Sequence, residues 1–159
     1  PHSLYISVYG GEPEDIGNAI HKKIDGGCGT NGNTKVDVID PTTQAENTYY
    51  YQIPETINMG IYVTIRKTLS LPTDYESLIK KAVLANFNGE TTDYSRVKMA
   101  QVLYASRFYK SVIQTGVNDF VGVELQYPVG GSRVDSIEIP ADEIPVLSED
   151  NITVVALDA

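Results

Sequence analysis

The apolar residues of this chain fall mainly in short alternating runs with few residues between them, and this spacing most constrains the fold. Three such runs follow one another: "TKVDVID" (34–40), "TYYYQIP" (48–54) and "IYVTIRKTL" (61–69). Alternation over these lengths indicates half-buried strands. Because links this short cannot hold a crossover connection, they predict mostly antiparallel pairing. In the third run the pattern places Ile61, Val63 and Ile65 inward, with Tyr62, Thr64 and Arg66 outward.

Two segments carry helix signals instead. Residues 12–27, "EPEDIGNAIHKKIDGG", have a proline and two acidic residues suited to a first turn, and Gly26 or Gly27 as the stop. Residues 71–89, "LPTDYESLIKKAVLANFNG", have Thr73 and Glu76 at capping-box spacing, and Gly89 as the stop. The apolar stripes of the two helices are Ile16, Ala19, Ile20 and Ile24, then Leu78, Ile79, Ala82, Val83 and Phe87.

The rest of the second half mixes helix and strand signals. Residues 97–104 fit either period and are interpreted as extended, with Ser106 capping a helix that ends at Gly116. The runs "FVGVELQY", "VDSIEI" and "NITVVAL" follow as strands, the first two separated by a turn at Gly130 and Gly131.

Together these elements predict an α+β fold made of two small lobes of antiparallel sheet with packed helices. Residues 1–71 have the order β-α-β-β-β, beginning with a strand over residues 4–9, and residues 72–159 have the order α-(β)-α-β-β-β. Leu71-Pro72 is the expected boundary between the lobes. One continuous domain is the alternative.

Charge and composition exclude several classes of function. The 159 residues carry a formal net charge of −9, which disfavours binding to the phosphate backbone of nucleic acids. No apolar run approaches the roughly 20 residues needed to cross a bilayer, and no signal peptide is apparent. The single cysteine, Cys28, cannot form an internal disulfide and fits folding in the cytoplasm.

The residues that could carry catalysis are few and scattered. "GGCGTNGNT" (26–34) follows a helix and lacks the lysine of a phosphate-binding loop, so a helix stop and turn is favoured. Cys28 has no histidine nearby in sequence, and the two histidines, His2 and His21, read as a terminal residue and a solvated helix residue. We therefore expect no catalytic residue, no metal, no cofactor and no small-molecule substrate.

Tyrosine is frequent, and Tyr49, Tyr50 and Tyr51 form its densest cluster. Alternation predicts that Tyr49 and Tyr51 share one face of a strand and that Tyr50 lies on the other. These rings could simply cover the sheet, form a protein interface, or provide a platform for a glycan. We treat the three tyrosines as a candidate interface.

Near its end the chain reads "IEIPADEIPVLSEDNITVVAL" (137–157), where Pro140 and Pro145 bracket Asp142 and Glu143. A hydrolase using the two carboxylates is one hypothesis, but adjacent carboxylates in a connection would point apart and stay solvated. The prolines explain more: Pro140 ends a strand, and Pro145 holds Ile144 extended. We predict a stiff connector that returns Val146 and Leu147 to the core.

This last segment resembles the C-terminal signature of the baseplate J-like family of contractile-tailed phages and related injection machines. Two other stretches are similar to blocks of that family: "VYGGEPEDIGNAIHKKIDGGCGTNGNTKVDV" (8–38) and "LYASRFYKSVIQTGVNDFVGVELQ" (103–126). The three stretches occur in the family's order and span nearly the whole chain. Because family members are longer, the resemblance implies that this chain is the C-terminal portion of a larger protein.

The resemblance implies a structural, non-enzymatic subunit of the tail baseplate. Such proteins form a ring around the central hub, contact one another and other wedge proteins, and participate in baseplate assembly and in triggering sheath contraction. The location implied is the virion, after synthesis in the host cytoplasm. A module that binds glycans or a host surface is the alternative. The resemblance supplies no catalytic residue, and it implies a shape role for Ile144, Pro145, Leu147, Asn151 and Ile152.

Overall fold

The computed structural model describes residues 3–68, 71–117 and 119–158, and it divides the chain into two units, Pro1–Glu55 and Thr56–Ala159. The α+β class predicted from the sequence is confirmed. The division lies before the predicted boundary at Leu71-Pro72. The reason is that the strand over residues 60–66 pairs with two later strands and so belongs to the second unit.

The first unit places one helix against a hairpin. Its elements in chain order are β1 (Ser3–Tyr5), α1 (Pro13–Lys23), β2 (Gly29–Asn31), β3 (Thr34–Ile39) and β4 (Glu46–Tyr51). β3 and β4 form the predicted antiparallel pair. β1 pairs in parallel with β2, and β2 lies inside the glycine-rich segment 26–34, where a turn was expected. The core of the unit consists of Ile20, Val36, Val38 and Tyr51.

Helix α1 approaches the hairpin closely because it carries a glycine on the buried side. A Cβ built on Gly17 would lie 2.8 Å from methyl groups of both Val36 and Val38, so no larger residue fits without a shift. The helix ends at Lys23, earlier than the predicted stop, since Ile24 is already extended. Gly27, with φ of +88°, makes the turn that follows.

The second unit contains most of the buried apolar side chains. Its elements are β5 (Glu55–Asn58), which begins at the boundary, β6 (Gly60–Arg66), α2 (Tyr75–Asn88), β7 (Gln101–Tyr104), α3 (Tyr109–Ile113), β8 (Phe120–Gln126), β9 (Ser136–Ile139), β10 (Glu143–Val146) and β11 (Ile152–Leu157). Short 3₁₀ turns over Ala105–Phe108 and Glu149–Asn151 precede α3 and β11.

Strand β6 lies at the centre of the sheet in this unit. It pairs antiparallel with β8 and parallel with β11, and two further pairs of strands, β7 with β9 and β5 with β10, lie outside that sheet. Ile61, Val63 and Ile65 are each at most 1% exposed, which confirms the predicted inward face of β6. The parallel partner of β6 is β11, at the far end of the unit. The lengths of the short links between neighbouring strands do not predict a pairing of strands so distant in sequence.

Two predicted helix starts are wrong. The N-cap of α2 is Asp74, with no capping hydrogen bond from a side chain, so Thr73 and Glu76 form no capping box. Ser106 lies inside the 3₁₀ turn, which leads directly into α3. The predicted stop of α2 is confirmed, because Gly89 adopts the left-handed conformation with φ of +73°.

Candidate interaction surfaces

The three tyrosines of β4 lie in three different environments. Tyr51 is buried in the core of the first unit, Tyr49 is half-buried, and Tyr50 is 41% exposed. This is the alternation predicted from the sequence. Tyr50 is therefore the one ring of the three that presents substantial surface, and β4 does not offer a row of exposed rings.

Tyr49 is held in place by His21, a histidine that the sequence had suggested was solvated. The Nδ1 atom of His21 lies 2.8 Å from the Tyr49 hydroxyl, and Nε2 lies 3.2 Å from an Asp40 carboxylate oxygen. The backbone N–H groups of Thr43 and Thr42 donate to Asp40 and hold the pKa of its carboxyl below the ordinary value, with a smaller contribution from His21. This link joins α1 to the β3–β4 hairpin.

The segment bracketed by prolines is partly a strand. Pro140 follows the last residue of β9, as predicted, and the predicted connector is itself partly a strand, because residues 143–146 form β10 and pair with β5. Pro145 is buried within that strand. The residues of this segment that fill the core are Ile144, Leu147 and Ile152, with exposures of 6%, 7% and 1%, whereas Asn151 is half-buried in the turn before β11.

The acidic pair lies beside a buried phenol. Asp142 is exposed and Glu143 is half-buried. The hydroxyl of Tyr127 is buried without a hydrogen-bond partner of good geometry among the described residues. Burial raises the pKa of the Tyr127 phenol strongly, the adjacent Glu143 carboxylate raises it further, and Asp142 adds a smaller contribution. A phenol that keeps its proton near neutral pH does not act as a general base there.

Arg107, in the middle of the "YASRFY" stretch, fastens the segment after α2 to the core. Its Nε donates to Asn86 Oδ1 at 2.8 Å, and its Nη2 donates to the carbonyl oxygens of Asn86 and Ser95. Asn86 is 1% exposed and donates in turn to Ser111 Oγ at 2.8 Å. No sequence-based prediction covered this network. The signal was an asparagine and an arginine in otherwise apolar helical segments, where polar groups need partners.

The side chain of Arg107 also lines a groove. Its guanidinium lies 4.8 Å from the centre of the Tyr94 ring, and the groove, of about 290 Å³, is bounded further by Val102 and Tyr104 of β7. Val102 is 48% exposed and Tyr104 is 58% exposed. We call this surface, comprising Tyr94, β7 and Arg107, the β7 groove.

Neither metal-binding nor membrane-spanning features are found in the described part of the chain. There, no three or more His, Cys, Asp or Glu side chains gather in a way that could hold a metal ion. Cys28 is half-buried, and its thiol lies 3.6 Å from the carbonyl oxygen of Gly29. None of the helices in the described residues has the length and apolar character needed to cross a bilayer.

Comparisons with known proteins add no family. Protein-family models give no match to the chain, and curated proteins give none either.

Proposed function

We propose that this chain is a structural subunit of the baseplate of a contractile phage tail, in the position of a wedge or ring protein. The observation that supports the proposal is the burial and bonding of residues in the stretches that resemble the baseplate J-like family. Arg107 and Phe108 of the "YASRFY" stretch fix the core, and Pro145, Leu147 and Ile152 of the last stretch are buried. These residues build shape, as the proposed role requires.

Exposed apolar side chains on the second unit supply contact area. Val102, Tyr104, Ile113 and Val121 are each between 48% and 58% exposed. Single exposed apolar residues are ordinary, but two neighbours on one short strand, beside a groove, mark a surface suited to a protein partner. The proposed partners are other wedge proteins and further copies of the same protein, and the proposed location is the virion.

The proposal includes a role in baseplate assembly and in the change that releases sheath contraction. It assigns the chain no catalysis, cofactor, small-molecule substrate or nucleic acid partner. The formal charge of −9 supports the last of these, because like charges repel a phosphate backbone. The alternative, a glycan-binding module on β4, is less well supported, since Tyr51 is buried and Tyr49 is bonded to His21.

Cross-linking of intact particles tests the proposal. Lys98 is exposed and lies three residues before β7. Contractile particles purified from cells that make the whole parent protein should give cross-links from Lys98 to other tail proteins. A Lys98→Arg variant, which keeps the charge but lacks the reactive amine, should lose those links. A parent protein that never co-purifies with particles would contradict the proposal.

A further inference from the structure

Strand β7 is the edge of its sheet in the described part of the chain. It pairs with β9 and with no other described strand. Its exposed side chains, Val102 and Tyr104, are apolar, and no charged residue lies within it. Proteins usually protect such an edge with charges, prolines or a covering segment, because its free N–H and C=O groups pair readily with another strand.

The ladder shows which backbone groups are free. Ala105 N–H donates to the carbonyl of Asp135, so in this register Leu103 and Gln101 also face β9 with their N–H and C=O groups. At the other end, Ala100 N–H also donates to a carbonyl on this side, that of Pro140, because the left-handed Ala100, with φ of +54°, interrupts the alternation just before Gln101. Val102 then directs its N–H and C=O to the opposite side, at the open edge. A strand laid along β7 can therefore exchange backbone hydrogen bonds with Val102 without disturbing the pairing with β9.

The β7 groove also contains a cation without a counter-charge. The hydrogen bonds of Arg107 end on amide oxygens of Asn86 and Ser95, and none of the described carboxylates forms an ion pair with it. Tyr94 covers one face of the guanidinium. The nearest acidic residue on the paired strand, Glu138, faces Val102 across the ladder with β7 between it and the open edge. A carboxylate entering the groove would form an ion pair with Arg107 and neutralise its charge.

From the open edge, the apolar side chains and the unpaired cation together, we infer that the β7 groove binds an extended acidic segment of a neighbouring protein as an added β-strand. The segment pairs its backbone with Val102, packs apolar side chains on Val102 and Tyr104, and directs one aspartate or glutamate to Arg107. The inference deepens the proposed function and rests on it for the identity of the neighbour, since the segment would belong to another baseplate protein. The binding itself depends only on the groove.

A synthetic peptide tests the binding without altering the protein. The probe is acetyl-Thr-Val-Glu-Val-Thr-amide, titrated into the ¹⁵N-labelled chain and followed by NMR. The amide signals of residues 101–107 and the Ser95 amide should shift together in a saturable manner. Replacing the glutamate by glutamine should weaken binding at least about fivefold, because a charge-assisted pair becomes a neutral one. Methylating the peptide nitrogen that faces Val102 should weaken it about tenfold, because a backbone hydrogen bond is lost.

Two variants of the chain complete the experiment. Val102→Pro removes the N–H at the open edge and should weaken binding about as much as methylation of the peptide. Val102→Thr keeps both the N–H and the branched side chain, so it should bind within about twofold of the original. If Val102→Pro does not fold, the peptide series decides alone. Equal binding of the glutamate, glutamine and methylated peptides, or no saturable shift, overturns the inference.

The outcomes also separate the inference from the proposed function. Saturable binding of the peptide to a chain that is never found in tail particles would leave the groove established and the proposed function refuted. A chain that is located in the baseplate but does not bind the peptide would support the proposed function and refute the binding inferred for the groove. If the chain forms a dimer at high concentration that Val102→Pro abolishes, then the edge pairs two copies, and a separate acidic partner is excluded.

Discussion

Removing the amide of Asn86 should destabilise the second unit far more than removing the amide of Asn88, which lies on the same helix. In Asn86→Ala, Arg107 Nε and Ser111 Oγ each lose a partner at 2.8 Å. A hydrogen bond to a charged group contributes about 1.5–3 kcal/mol and a neutral one about 0.5–1.5 kcal/mol, so the unfolding free energy should fall by about 2–4.5 kcal/mol. The loss is not recovered from water, because Asn86 is 1% exposed.

Asn88→Ala is the matched control, since it makes the same change one half-turn further along α2. The side chain of Asn88 has a single long contact of 3.4 Å with Glu90, so its loss should change the unfolding free energy by less than about 0.5 kcal/mol. Both variants replace asparagine by the better helix former alanine; because Asn88 is the last residue of α2, the two propensity gains differ by a few tenths of a kcal/mol, well below the expected loss at Asn86. The assay is urea unfolding followed by far-ultraviolet circular dichroism.

A second readout locates the effect. Because Arg107 also holds the carbonyl of Ser95, Asn86→Ala should speed amide hydrogen exchange in residues 90–97, whereas Asn88→Ala should not. If Asn86→Ala and Asn88→Ala are equally stable, and exchange in that segment is unchanged, then the network does not fix the segment after α2. Arg107 would then not be held rigidly in the β7 groove.

Three further predictions concern glycine, proline and tyrosine positions in the second unit. Gly89→Ala should lower the unfolding free energy, measured by urea unfolding, by about 2–4 kcal/mol, because a left-handed residue gains a Cβ that would lie 2.2 Å from Arg96 N. Gly122→Ala is the control: its Cβ would meet no atom within contact distance, so the unfolding free energy should change by less than about 1 kcal/mol. Pro145→Gly should lower the unfolding free energy by about 2–3 kcal/mol in the same assay, because about 0.4–1 kcal/mol from the greater entropy of the unfolded chain adds to the lost burial of the proline ring. Pro140 is exposed, so Pro140→Gly should lower the unfolding free energy by the entropic part alone. Equal losses at Pro145 and Pro140 would show that burial in β10 contributes nothing. Tyr127→Phe should be at least as stable at neutral pH, because the buried hydroxyl that it removes has no hydrogen-bond partner among the described residues. Above about pH 10 the original protein should lose stability, because the unfolded tyrosine ionises there while the folded phenol, with its raised pKa, keeps its proton. Tyr127→Phe should lack that loss, and an unchanged dependence of stability on alkaline pH would contradict this.

Local patterns predicted the elements whose geometry is local. The alternation of residues 61–66 placed β6 and its buried face correctly, and the glycine at position 89 marked the end of α2. Pro140 marked the end of β9. In each case the evidence lies within a few residues, because side-chain period, left-handed φ and the missing proline N–H act locally.

The remaining features depend on partners that are distant in sequence. The parallel pairing of β6 with β11 joins residues about 90 apart, and periodicity cannot specify it. Residues 143–146 form a strand because β5 supplies a partner, whereas the prolines alone predicted only a stiff connector. Likewise, the contacts of His21 with Tyr49 and of Arg107 with Asn86 span 28 and 21 residues, and only the folded chain brings them together.

Electron microscopy of the intact contractile particle, with this segment of the parent protein labelled, tests the central claim most directly. The account predicts label in a ring at the base of the tail, with the second unit placed so that β7 lies against a strand of a neighbouring protein. Particles that contain no label, or label bound only outside the baseplate, would contradict it.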